Sequence, residues 1–117
     1  DGELVFLHDI TFHRVRLMIP TREGLLQAAS MLATKTRLAL DNPQVVLMFD
    51  TMPRYAFFGN QYQRQVRAVK EVMGKTELVG GVFYGTIHMI DSERSKLGHV
   101  AGEYSCTMMA LGAAAYA

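Results

Sequence analysis

Val79-Gly80-Gly81-Val82-Phe83-Tyr84-Gly85-Thr86-Ile87-His88-Met89-Ile90 is the stretch whose reading decides the fold. Valines, aromatics and isoleucines in a short apolar run predict a buried strand. Three glycines in six positions weaken an ordinary strand, because each adds backbone entropy and no packing. They therefore need a geometric reason. Either a ligand approaches the backbone closely, or the chain bulges or bends where a neighbouring element crosses.

Outward from this stretch, the elements follow from periodicity and punctuation. Upstream, residues 45–49 (Val-Val-Leu-Met-Phe) are apolar throughout and too short for a helix, which predicts a central strand buried on both faces. Residues 50–59 then read as an aromatic-rich loop at that strand's C-terminal end, a place where ligand-contacting groups gather. Within it, Arg54 either clamps a carboxylate or phosphate or pairs internally with Asp50. Asn60 and Gln63 resemble a capping box for a helix that turns Tyr62, Val66, Val69 and Met73 inward and that Gly74 ends with an αL residue. An earlier helix starts at Thr21, carries an apolar stripe of Leu25, Ala28, Ala29, Leu32 and Ala39, and stops before Asn42-Pro43.

The N-terminal residues 4–10 and 13–19 read as two strands, the second alternating Val15, Leu17 and Ile19 against Arg14 and Arg16. Downstream, the polar residues 91–98 form a loop, and 104–111 alternate as an antiparallel partner joined to the glycine strand by a hairpin. The expected order is ββαβαββ. This is the α+β class, with a mixed or mainly antiparallel sheet of about five strands and two helices packed on it.

Composition narrows the function. One domain accounts for all 117 residues, read as a piece or module of a longer chain. Net charge is +1, and the basic residues are scattered among acids, so no electrostatic footprint for nucleic acid or a membrane surface is present. No apolar run is long enough to span a bilayer as a helix, and the single cysteine, Cys106, rules out an internal disulfide and points to the cytoplasm. Gly80-Gly81 and Gly85 lack the lysine and helix start of a phosphate-binding loop. Cys106 beside Ser105 and Thr107 has no base or orienting group specified by spacing, so an enzyme is the competing class and not the first.

The order of signals over residues 45–112 resembles the C-terminal half of the FIST sensory domain. Phe49 and Arg54 match the ends of that family's first motif; Gly80, Tyr84, Gly85 and Ile87 match its second; Thr107 and Ala110-Leu111-Gly112 match its third. Thr51 stands where the family has Cys, Pro53 for Gly, Thr86 for Glu and Ser105 for Asn. Losing the Glu removes the motif's one ionised acceptor. The resemblance implies a sensory or regulatory role in an intracellular signalling protein, with an amino-acid-like small-molecule ligand, and Arg54 adds the expectation of an anionic one. It also raises haem, for which His88 is the first axial candidate, followed by His99, His8 and His13. Otherwise no cofactor or metal is expected.

The resulting site is non-catalytic and consists of Arg54, Tyr55, Tyr84, Gly85, Thr86, His88, Ser105 and Thr107. Arg54 holds an anionic group, the glycines admit it to the backbone, and Thr86, Ser105 and Thr107 supply neutral hydrogen bonds. If the chain is half of a two-part domain, its apolar face pairs with the missing half or with a copy of itself. An interaction or oligomerisation module is thus a further alternative.

Overall fold

The computed structural model describes residues 19–89, 99–102 and 105–113. Helix α1 (Arg22–Leu38) begins where Thr21, in extended conformation, accepts a hydrogen bond from Gly24 N at 3.1 Å. Glu23 lies in its first turn, favourably placed for the helix dipole. The helix buries Ala29, Ala33 and Thr36, while Leu25 and Leu32 are half-buried and Ala28 and Ala39 are exposed. The inward stripe is thus narrower than the periodicity predicts.

Strand β1 (Val45–Thr51) buries Val46, Met48 and Asp50 toward the helices, and Val45, Leu47 and Phe49 are only partly covered on the other face. The expectation of burial on both faces therefore holds for one. The expected loop after it is instead helical. Helix α2 (Met52–Phe58) has Pro53 in its first turn, where proline costs no hydrogen bond, and ends at Gly59 with φ 54°. Phe58 of the aromatic run is buried and serves packing. A 3₁₀ turn (Gly59–Gln61) leads directly into α3 (Tyr62–Met73), and no side chain caps that start, so the expected capping box does not form. Gly74 ends α3 at φ 63° and ψ −114°, positive in φ but outside the αL basin expected for it.

β1 is the centre of a three-stranded sheet ordered β2-β1-β5, with β2 (Glu77–Phe83) parallel to it and β5 (Cys106–Leu111) antiparallel. β3 (Thr86–Met89) and β4 (His99–Gly102) form a separate antiparallel pair. The fold is α+β with a mixed sheet, and one sheet of about five strands is corrected to three strands plus a two-stranded pair. The glycine stretch breaks at Tyr84 and Gly85, so its second half joins β4 and the last strand completes the free edge of β1 instead. The described order begins at α1, and the two N-terminal strands expected before it lie outside the described residues. Among the described residues, no helix is long and apolar enough to cross a membrane.

The core lies between α1, α3 and one sheet face. Ala29, Ala33, Val46, Met48, Val69 and Met73 are buried together, with Leu78, Cys106, Met108 and Ala110 against them. Small alanines on α1 let that helix approach α3, and Arg37 fixes the contact by donating from Nη1 to Val72 O at 2.8 Å. Gly80 answers one of the glycine questions. A Cβ there would lie 1.9 Å from the Met48 carbonyl oxygen, so its missing side chain accommodates the neighbouring strand and not a ligand. The opposite sheet face is apolar and open, with Val79 56%, Met109 54%, Leu111 46% and Phe83 45% exposed.

Candidate ligand site at the end of the central strand

The alternation of β1 sends Asp50 into the helix side of the sheet, where an unpaired carboxylate would be costly. Arg54, one helical turn along, donates from Nε to Asp50 Oδ1 at 2.8 Å. Its Nη2 donates to Gln65 Oε1, and Gln65 Nε2 donates in turn to Asp50 Oδ2, closing a ring of three side chains. Thr51 N adds a bond to Asp50 Oδ1 at 2.9 Å. Asp50 and Gln65 are fully buried and Arg54 is 4% exposed. The Arg54 guanidinium also lies 5.9 Å from the Phe58 ring centroid, within cation–π range.

The field of this cluster keeps its neighbours protonated. Burial first, and then the Asp50 charge and a hydrogen bond to it, raise the Tyr62 phenol above its ordinary value. Burial, reinforced by Asp50, pushes the Cys106 thiol up to about 12. Cys106 is therefore a thiol at neutral pH and a poor nucleophile.

A seam of hydroxyls runs outward from the same strand end. Thr51 Oγ1 donates to Ser105 O at 3.1 Å and accepts from Ser105 N at 3.2 Å, which ties the start of β5 to the end of β1. The hydroxyls of Ser105 and Thr86 are 2.6 Å apart. Beyond them, on the open sheet face, a cavity of about 410 Å³ is lined by Phe49, Phe83, Gly85, Thr86, Thr107 and Met109, among others. The Phe49 and Phe83 rings form one wall, 5.7 Å between centroids and tilted by 43°. Thr107 Oγ1 is shut off from solvent and has no hydrogen-bond partner among the described residues. A buried hydroxyl in that condition is uncommon and unfavourable.

The residues expected at the site divide into four groups. Gly85, Thr86 and Thr107 line the cavity, and Ser105 bonds to Thr86 beside it. Arg54 is turned inward to Asp50 and Gln65, the internal alternative left open by the sequence. Tyr55 and Tyr84 stand apart from the cavity lining: Tyr55 is 44% exposed with its ring edge-on to Tyr62, and Tyr84 is 87% exposed. His88 belongs to β3 and His99 to β4, and His8 and His13 lie outside the described residues. Among the described residues that line the cavity there is no histidine.

Phe49, Phe83 and Met109 were not anticipated as lining, because an apolar strand residue reads as core until it is known which sheet face is covered. Gln65 carried no signal beyond its place between Tyr62 and Val69 on the inward side of α3. No family model, curated protein or solved structure matches this chain. The functional reading therefore rests on the residues themselves and on the motif resemblance.

Proposed function

We propose that this chain is a non-catalytic, ligand-binding sensory or regulatory module of a signalling protein, with the ligand held in the cavity between Phe49, Phe83, Thr86 and Thr107. The observation that carries the reading is the unpartnered Thr107 hydroxyl beside an aromatic-walled cavity at the end of the central strand. Thr107 lines that cavity, where a polar group of the ligand would satisfy its hydroxyl. The FIST resemblance points to the same kind of role and includes Phe49, Gly85 and Thr107 among its matched positions.

The ligand is small, weakly polar and uncharged. Among the described residues lining the cavity none is ionised, and the Arg54 charge is already matched by Asp50. The anionic ligand implied by the sequence thus gives way to one recognised by ring contacts and neutral hydrogen bonds. Against a cysteine nucleophile stands the protonated state of Cys106, the only cysteine.

A thermal-shift screen of uncharged aromatic and carbonyl compounds tests this proposal. A ligand at a hundredfold its Kd adds about 2.7 kcal/mol of stability. Its effect should be lost in Phe49→Ala, and a screen whose hits act equally on that variant would refute the site. A second reading, an interaction module whose open sheet face is covered by a second copy, is favoured by the exposure of Val79, Met109 and Leu111. Sedimentation as a monomer at all concentrations would remove it.

A further inference from the structure

A second cavity, of about 310 Å³, lies on the helix side of the same sheet and is lined by Ala28, Ala29 and Leu32 of α1, Arg54 of α2, and Ser105 and Cys106 at the start of β5. It is separate from the aromatic cavity, because consecutive residues of a strand point to opposite faces: Cys106 faces the core and Thr107 the open side. Its α1 side is aliphatic, and α2 contributes the guanidinium-bearing Arg54, a residue only 4% exposed.

That guanidinium is only partly used. A planar fork offers donors on three nitrogens. Nε is taken by Asp50 and Nη2 by Gln65, along one edge of the fork. Nη1 points away from that edge and has no hydrogen-bond partner among the described residues. Arg54 is itself among the residues that line the cavity.

We infer that this cavity is a second binding site, for a short aliphatic molecule with a neutral carbonyl oxygen, which Arg54 Nη1 holds while Ala28, Ala29 and Leu32 enclose the alkyl part. The neutrality follows from Asp50. The ion pair has no net charge, so a carboxylate entering beside it brings an uncompensated negative charge out of water, whereas a carbonyl brings only an acceptor that needs a donor. Cys106 agrees with this selectivity, since a protonated thiol beside the acceptor adds a weak donor and no charge.

Isobutyramide and isobutyrate have nearly the same shape and differ in charge, so they are the probes. They are titrated at neutral pH into the ¹⁵N-labelled full chain, with backbone amide shifts as the readout. Expected are saturable shifts at Ala29, Arg54 and Cys106 with isobutyramide, and binding of isobutyrate weaker by about tenfold or more, equivalent to about 1.4 kcal/mol. Ala28→Leu, a change at an exposed helix position that fills the cavity mouth, should abolish the shifts without unfolding the chain. Thr107→Val should leave them unchanged, which separates this site from the aromatic cavity. Equal or tighter binding of isobutyrate, shifts that survive Ala28→Leu, or no saturable shift at all would each overturn the inference.

Discussion

The two sides of the sheet at the end of β1 solve the same problem in opposite ways. On the helix side, three buried polar side chains, Asp50, Arg54 and Gln65, satisfy one another and Thr51 N. On the open side, two residues beyond Ser105, the Thr107 hydroxyl is enclosed without a partner among the described residues, next to a cavity. Polar groups in the first place hold the fold together. In the second, a buried hydroxyl is left without a partner among the described residues. Burial alone does not distinguish the two sides, but the state of their hydrogen bonds does.

The largest expected effect breaks the closed side. Asp50→Ala leaves the Arg54 charge buried without its partner, and urea unfolding should show a loss of about 3–5 kcal/mol. If the loss is below about 1 kcal/mol, the cluster is not the structural anchor described. Gly80→Ala should come next, at about 1–3 kcal/mol, because its Cβ would collide with the Met48 carbonyl and push β2 away from β1. A neutral result there would return the glycine to the ligand-access reading.

Cys106 sharpens the contrast through pH. Its thiol titrates at about 12 in the folded chain against an ordinary 9.0, so its deprotonation favours the unfolded state. The stability associated with the protonated thiol is whole below pH 9 and is lost as pH rises from 9 toward 12. Cys106→Ala should flatten the first part of that decline, before Tyr62 adds a fall of the same sign. An unchanged pH profile of stability would mean the thiol does not feel burial or Asp50. The smallest effect belongs to the open side. Thr107→Val removes an unsatisfied hydroxyl at constant shape, and the chain without ligand should be unchanged or stabilised by up to about 1 kcal/mol. A clear loss would mean that the hydroxyl has a structural partner.

Much of the frame was legible because its signals are local. Thr21 capping α1, Asn42-Pro43 beyond its end, the apolar run of β1 and Gly74 after α3 each act within a few residues. Strand pairing was not legible, since β5 lies beside β1 through contacts more than fifty residues apart in sequence and a hairpin was the nearer guess. Helix α2 was hidden by Pro53, which marks a loop as readily as a first helical turn. Of the candidate site, Thr86 and Ser105 bond to each other and Thr86 and Thr107 line one cavity, while the aromatic wall was not legible, because Phe49 and Phe83 look like core in any apolar strand. Arg54 was visible with both of its partnerships open, and Gln65 decided between them by adding a second acceptor inside the fold.

The most direct test is calorimetric titration of the strongest hit from the uncharged-compound screen into the wild-type chain and Thr107→Val in parallel. The account predicts saturable one-to-one binding to the wild type and a loss of about 1–3 kcal/mol of affinity in the variant, with its stability intact. Equal affinity for the two chains would contradict it.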